Sequence, residues 1–444
     1  MYNDGRQNKQ KGRKTMLTPK GYKPRILDNQ ISLMMKIYGA VCVEGPKWCG
    51  KTWTSNNHAA SASYIGDPIG NFMNKQLAEM DPSLVLEGEY PRLIDEWQVV
   101  PSIWDAVRFK VDQIGQKGIY ILTGSSTPIH KGKLHGGSGR IGKIRMRTMS
   151  LYESGNSTGD VSIMDLFEDS LRAKATGEIK LSELIHFVVR GGWPGSQELN
   201  VKESMRIPKD YLLNIPDDME RVDGKKRDTK KVASLLRSLG RSESNMTSKK
   251  ALQKDMEEYA EDRNDDSASS IDTITDYMNC FNKMFLTEDQ PAFENNLRSS
   301  VKALKKPKRH FTDPSLAAAA IGATPDMLMK DLNTFGYIFE ALCVRDLRVY
   351  ADYHRAQVYH YHDERDNEAD AIIELEDGRW GMFEIKIGFN QVEDASRELL
   401  SLKEKFLNET KSNPSFLCVL CGMSKAAYKR PDGVFVVPIT ALKY

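Results

Sequence analysis

The sequence predicts an α/β protein in which two strand-bearing regions flank a helical middle. Three observations carry that reading. Residues 38–151 alternate short apolar runs with amphipathic stretches, the pattern of a parallel sheet with helices on both faces. A Gly-x-x-x-x-Gly-Lys-Thr run, GPKWCGKT at 45–52, joins the first apolar run to the stretch behind it. A second αβ region begins near Thr334, after a long segment with no strand pattern.

Bulk composition bounds the answer. A chain of 444 residues exceeds one ordinary core, so two or three domains are expected. With 40% hydrophobic and 28% charged residues it reads as a soluble globular protein. No apolar run approaches ~18 residues, which argues against a membrane span. The basic, polar N-terminal stretch has no apolar core for a secretory signal, so the expected location is cytoplasmic. Six scattered cysteines argue against a disulfide framework. A net charge of +2 does not mark a nucleic-acid binder. Residues 1–25, however, hold eight Lys/Arg against one Asp and read as a disordered basic arm, drawn here over 1–33.

The elements follow in order. YGAVCVEG (38–45) reads as a buried strand, and TWTSNNHAA opens the helix behind it. ASYIGD (62–67), PRLIDEWQ (91–98) and GIYILTGSS (118–126) are the next strands, and KIRMRTMSL (143–151) is a candidate fifth. PSIWDAVRFKVDQIG (101–115) is helical, with Pro at its start and Ile103, Trp104, Val107 and Val111 on one face. From about 160 to 300 the pattern is helical with polar breaks; 232–241 and 271–289 are amphipathic. FGYIFEALCVRDL (335–347) is a helix, 359–375 two strands around a polar hairpin, and RWGMFEIKIG (379–388) another strand.

A strand, then GPKWCGKT, then a helix is the context in which such a loop cradles phosphates. Its glycines let backbone N–H groups face the phosphates, and the helix N-terminus adds partial positive charge. The whole loop, Gly45, Pro46, Lys47, Trp48, Cys49, Gly50, Lys51 and Thr52, is the expected ATP-binding segment, with Lys51 reaching the β- and γ-phosphates and Thr52 holding Mg²⁺. Forty-three residues later LIDEW (93–97) ends an apolar strand in Asp-Glu. Asp95 is the expected Mg²⁺ residue, and Glu96 the group that orients or deprotonates the attacking water. Ser125, ahead of Thr123 and Ser126 in TGSS, is the candidate contact for the γ-phosphate or the water; a plain strand-end turn is the alternative. Arg140 is the foremost candidate for the charge-stabilising arginine. Arg145 and Arg147 alternate with apolar residues as ordinary strand positions do, and Arg190 is a further candidate.

In the carboxyl-terminal region Glu384 and Lys386 lie two apart on one strand face, and Asp370 heads its own apolar strand. Two carboxylates converging there would suit Mg²⁺, a hard cation, with Lys386 positioning a water. Glu-x-Lys alone carries no weight, since GEIKL (177–181) contains it too. The order helix Glu340, strand Asp370, strand Glu384-x-Lys386 is what raises the second copy. A hairpin with edge charges that discourage pairing is the competing explanation.

Taken together, GPKWCGKT, PRLIDEWQ, YILTGSS, GRIGKIRMRTMSLYES, RGGWPG, KPKRHFTDPSLAAA, GYIFEALCVRDL, NEADAIIEL and MFEIKIG resemble a family of prokaryotic ATPases. That family has an AAA-type P-loop domain, a winged-helix segment and a carboxyl-terminal domain of unknown function resembling the PD-(D/E)XK nucleases. The stretches span 38–388, and RGGWPG with FTDPSLA is the specific part. Lys47 stands where the family often has Arg. The resemblance implies nucleotide and Mg²⁺ roles for Lys51, Thr52, Asp95 and Glu96, and places Glu340, Asp370, Glu384 and Lys386 on the nuclease-like motif, Asp370 and Glu384 as its metal ligands. It implies an AAA-type P-loop domain over 34–220, a helical or winged-helix segment over 221–330 and a restriction-endonuclease-like α/β domain over 331–444. The recognition helix falls in 225–260 or in 271–285.

The expected activity is Mg²⁺-dependent ATP hydrolysis, with a carboxyl-terminal domain that binds or cleaves DNA or another nucleic acid. A nucleotide-dependent switch or interaction protein without nuclease activity is the alternative. An arginine finger in trans would require a homo-oligomer. Other signals carry less. Cys418 and Cys421, three apart on a strand, face opposite sides and make no metal pair. His360 and His362 share a strand face. Trp48 is expected to pack or lie exposed. The basic KALKKPKRH (302–310) reads as a phosphate contact or a solvated linker.

Overall fold

The first strand pattern folds into a five-stranded, all-parallel sheet. The computed structural model describes residues 16–127, 136–263, 268–294 and 306–444. The opening elements are α1 (Leu27–Ile37), β1 (Ala40–Glu44), α2 (Lys51–Asn56), β2 (Ser61–Tyr64), α3 (Ile69–Met80), β3 (Arg92–Asp95), α4 (Ile103–Ile114), β4 (Tyr120–Gly124) and β5 (Ile141–Arg145). The sheet order is β2-β3-β4-β1-β5, so β4 lies between the loop-bearing β1 and the acidic β3. Because the strands are parallel, the ends of β1, β3 and β4 open on one edge, where α/β sheets place ligands. Ile103, Trp104, Val107 and Val111 of α4 are all buried against this sheet, as their spacing requires.

Part of the expected basic arm belongs to the fold. Residues 1–15 lie outside the described residues, but 16–33 belong to the fold: Leu17 N–H donates to the Ala59 carbonyl (2.9 Å), and α1 buries Leu27 and Ile31. Arg25 is 7% exposed and bonds to Glu153 at 2.9 Å. Eight basic residues dominate the composition, yet one of them is a buried, paired side chain.

The middle contains β6 (Val161–Ser162), α5 (Ile163–Phe167), β7 (Lys174–Ala175), α6 (Leu181–Arg190), α7 (Val201–Ser204), α8 (Arg206–Leu213), α9 (Ile215–Asp223), α10 (Thr229–Arg241), α11 (Lys249–Arg263), α12 (Ile271–Lys283), α13 (Pro314–Ala320) and α14 (Pro325–Lys330). The acidic residues from Glu257 to Asp262 belong to α11 and do not interrupt it. After α12 the chain forms an antiparallel ribbon, with Thr287 opposite Phe311 and Gln290 opposite Lys308; Asn245, between α10 and α11, pairs with Arg309.

The last part comprises α15 (Leu332–Tyr353), β8 (Gln357–His362), β9 (Glu368–Glu374), β10 (Trp380–Lys386), α16 (Val392–Thr410), β11 (Phe416–Cys421), β12 (Ala426–Lys429), β13 (Phe435–Pro438) and β14 (Leu442–Lys443). A seven-stranded mixed sheet runs β7-β12-β13-β11-β10-β9-β8, with α16 packed on one face. Cys418 and Cys421 lie in the cores on its opposite faces, as their spacing implies. The expected boundaries at 220 and 330 do not follow the packing. β7 pairs with β12, β6 with β14, and a single core joins Leu151 and Val161 to α6, α10, α12, α15 and β11.

The RGGWPG and FTDPSLA stretches meet at one buried carboxylate. Asp313 accepts from Thr148 Oγ1 (2.7 Å), Gly192 N–H (2.9 Å), Ser315 Oγ (2.6 Å) and Arg345 Nη1 (3.2 Å). Trp193 Nε1 donates to Ser315 Oγ at 2.9 Å. Gly192 is there because nothing larger fits: a Cβ would stand 2.2 Å from the Met149 carbonyl oxygen and 2.5 Å from Arg345 Nη1. Gly192→Ala is therefore expected to destabilise by roughly 1–3 kcal/mol through forced backbone displacement, read as a lowered midpoint in thermal or urea denaturation.

Candidate nucleotide site and carboxylate cluster

The phosphate loop leaves β1 at Gly45, whose N–H donates to the Gly124 carbonyl at the end of β4 (3.2 Å). A Cβ at Gly45 would lie 2.1 Å from the Met146 carbonyl oxygen, so only glycine passes behind β5 here. Gly50 enters α2 with φ +104°, a conformation that glycine adopts without strain. Cys49 is buried, and its carbonyl accepts from Arg25 Nη1 (2.8 Å). Lys51 is 5% exposed, and its ammonium is held by the loop's own Gly45 and Pro46 carbonyls, at 3.0 and 2.8 Å. Lys47 reaches Asp218 on α9 (2.5 Å), and Trp48, half exposed, sets its ring edge-on to Tyr211.

Asp95 ends β3 facing the loop. Its Oδ1 accepts from Thr52 Oγ1 (2.8 Å) and Thr123 Oγ1 (2.6 Å). Burial pushes its carboxyl upward, against the hydroxyls and Lys51, which favour the charged form. Glu96 follows at φ +58°, its N–H on Thr123 Oγ1 (3.0 Å). Its Oε2 accepts from Ser125 Oγ (2.9 Å) and from Gln98 Nε2, which also donates to Ser125 (3.1 Å). Ser125, the expected contact for the γ-phosphate or the water, is placed on Glu96; Gln98, two residues past the acidic pair, was not singled out, because no motif flags it. Glu96, Lys51 and Thr52 border a cleft of about 970 Å³, whose other walls include Tyr22, Lys23, Trp53 and the Trp193–Gly195 turn. A loop with cationic and backbone donors beside a hydroxyl–carboxylate pair fits a nucleotide with Mg²⁺, which prefers oxygen ligands.

Strand register separates the candidate arginines. β1 and β5 pair with Ala40 opposite Ile141 and Glu44 opposite Arg145. Arg140 therefore sits at the far edge of the sheet, roughly 16 Å along the strands from the loop, where it bonds to Asp112 (2.9 Å). It cannot reach the nucleotide cleft of its own chain. Arg145 and Arg147 are not ordinary strand positions either: Arg147 makes a two-pronged pair with Glu288 (2.6 and 3.0 Å) and also holds Asp352, while Arg145 lies 3.5 Å from Glu288. Arg190 is stacked over Phe187.

The second constellation assembles, with an addition. The antiparallel pairing of β9 with β10 sets Asp370 beside Glu384, and Asp370 Oδ2 accepts the Ile385 N–H (2.7 Å). Lys386 pairs with Glu384 Oε1 (2.7 Å). Lys308, expected in a phosphate contact or solvated linker, is 3% exposed. Its ammonium stands 2.8 Å from Glu340, 2.6 Å from Glu368 and 3.5 Å from Asp370. Burial alone would lower its pKa, but the three carboxylates outweigh burial and hold it well above the ordinary lysine value. Burial pushes Glu340 up to about 8, with Lys308 opposing. Among the described residues, no group of three or more acidic, His or Cys side chains is arranged to hold a metal ion. Glu340, Glu368 and Asp370 do not fit Mg²⁺ as placed, because the Lys308 ammonium lies between them. The neighbouring His310 is also buried, between Glu243 and Gln290.

Three family models match successive parts of the chain. One described as an AAA domain covers residues 38–155, and two domains of unknown function, DUF8612 and DUF4143, cover 181–327 and 335–442. Residues 38–155 form an AAA-type P-loop domain. With the loop geometry above, the match supports ATP binding. The second segment begins at 181, inside the stretch expected to belong to the first domain. No curated protein matches the chain. Among solved structures, the Walker-type ATPase PABY2304 of Pyrococcus abyssi aligns at 10% identity over 69% of this chain and 97% of its own, TM-score 0.43. The Aeropyrum pernix ORC2 protein aligns at 12% identity over 71% and 98%, TM-score 0.33, and Cdc6p from Pyrobaculum aerophilum at 12% over 73% and 98%, TM-score 0.21. At these scores the domain assignment rests on the family match and on the loop geometry. Among the described residues, no helix is long and apolar enough to cross a membrane.

Proposed function

We propose that the chain hydrolyses ATP with Mg²⁺ at the loop 45–52, and that its carboxyl-terminal domain is a nuclease-like module that engages nucleic acid. The observation that carries the first part is the convergence of Thr52 and Asp95 on one hydrogen bond, with Glu96 beside it on Ser125 and Gln98. Thr52 and Asp95 would hold the metal, which when bound supplies charge neutralisation on the phosphates. Lys51 exchanges the Gly45 and Pro46 carbonyls for phosphate oxygens, a stronger, charge-assisted pairing. Glu96, at the cleft wall, accepts the proton of the attacking water while Ser125 and Gln98 fix its carboxylate. Arg140 could serve only a neighbouring copy, in a homo-oligomer. The test is phosphate release from Mg²⁺-ATP. Lys51→Ala is expected to abolish it by removing nucleotide affinity; turnover that survives Lys51→Ala would sink the assignment.

For the second half, the order α15 with Glu340, β9 with Asp370 and β10 with Glu384 and Lys386 supports the nuclease-like reading. The order α10, a bridge at Asn245, α11, α12 and a ribbon supports a winged helix with α12 as the second helix of its helix pair. Two observations favour the switch or interaction reading over cleavage. Helix α12 carries Asp272 and Asp276 against a single Lys283, a poor match for a phosphate backbone. Asp370, one of the two expected metal carboxylates, already lies against Lys308, together with Glu340.

A further inference from the structure

We propose that Lys308 stands in place of a divalent metal among Glu340, Glu368 and Asp370, so that this domain keeps the carboxylates of a nuclease-like site but is closed by a cation of its own chain. The inference rests on the nuclease-like reading of residues 331–444 and deepens it.

The spacing is that of an ammonium, not of a metal. The three oxygens lie 2.6, 2.8 and 3.5 Å from Nζ. Mg²⁺ would draw its ligands to ~2.1 Å, and the two cations cannot share the space. Lys308 is also held by its backbone. Its N–H donates to the Gln290 carbonyl (3.0 Å) and its carbonyl accepts the Gln290 N–H (2.8 Å). Gln290 Nε2 in turn donates to the Tyr359 and Asp370 carbonyls (2.8 and 3.0 Å), and Phe293 and Pro291 bond to the backbone of His360 on β8. The ribbon thus covers the exposed edge of the sheet and seats the lysine as part of the fold. Beside the cluster, Glu384 is 6% exposed, and among the described residues its Oε2 has no hydrogen-bond partner.

The test is Mn²⁺ binding to the nucleotide-free full-length protein, followed by the electron paramagnetic resonance of free Mn²⁺. Wild type and Lys308→Arg are expected to bind none at this site. Lys308→Met is expected to bind one Mn²⁺ per chain, and Lys308→Met with Asp370→Asn none. Wild-type binding that Asp370→Asn removes would overturn the proposal, as would a folded Lys308→Met, checked by circular dichroism, that binds no metal. If Lys308→Met does not fold, wild type against Asp370→Asn decides alone: an Asp370-dependent site overturns the proposal, and no site upholds it. Plasmid DNA added to Mn²⁺-loaded Lys308→Met separates the two levels. Cleavage upholds the nuclease-like reading as well; bound metal without cleavage leaves the lysine assignment standing and counts against that reading.

Discussion

Glu96→Gln is expected to bind ATP about as tightly as wild type and to turn it over 10²- to 10⁴-fold more slowly, the range for loss of a positioned general base. The substitution is nearly isosteric. A glutamine carbonyl at Oε2 can still accept from Ser125 and Gln98, so the side chain stays where it is. The Thr52–Asp95 bond and the Lys51 contacts are untouched, so the groups that hold the nucleotide remain. What disappears is the ability to take a proton. The measurement pairs a fluorescent-nucleotide titration with steady-state phosphate release, and the split between them is the point. Lys51→Ala should lose binding, whereas Glu96→Gln should lose only turnover. A Glu96→Gln protein with wild-type turnover would move the base elsewhere, with Asp95 the only other carboxylate on that strand end.

The local motif was legible because its chemistry is contiguous. Two glycines, Lys51 and Thr52 are read from the eight residues that follow a strand, and Asp95-Glu96 from the five of LIDEW. The order of carboxylates on α15, β9 and β10 was legible for the same reason. What was not legible depends on register and on distant pairs. Arg140 and Arg145 look alike in sequence, five residues apart, yet the pairing with β1 puts them on opposite edges of the sheet. Arg25 sits in a run of basic residues, and nothing local says that one of eight is buried against Glu153. Lys308 looks like part of a solvated basic tract. Its partners Glu340 and Asp370 lie 32 and 62 residues away, and only the ribbon's docking on β8 brings them together. Composition reports the average environment of a segment, and each of these misses is one residue that departs from the average.

Glu288→Gln is expected to be among the most destabilising single changes in the chain. Three guanidinium groups meet here, from Arg145, Arg147 and Arg348, with Glu288 and Asp352 as their facing carboxylates. Removing one partner from a buried ionic cluster leaves charge uncompensated and costs about 3–5 kcal/mol, a large share of a typical 5–15 kcal/mol fold. The location makes the loss consequential. Arg145 lies opposite Glu44 at the base of the phosphate loop, Glu288 starts the ribbon that carries Lys308, and Arg348 lies on the helix that carries Glu340. Burial would raise the Glu288 carboxyl, but Arg145, Arg147 and Arg348 outweigh it and hold the pKa well below the ordinary glutamate value. The sign of the pH effect follows. A depressed carboxylate stabilises fully above its unfolded value, about 4.3, and that stability is lost as pH falls toward the folded value. Urea unfolding should therefore show a gap between wild type and Glu288→Gln that is constant from neutral pH down to about 5 and narrows below ~4.3. A gap that stays open in acid would mean that Glu288 acts through packing rather than charge. A gap that is absent at neutral pH would mean that Asp352 alone suffices for the three arginines.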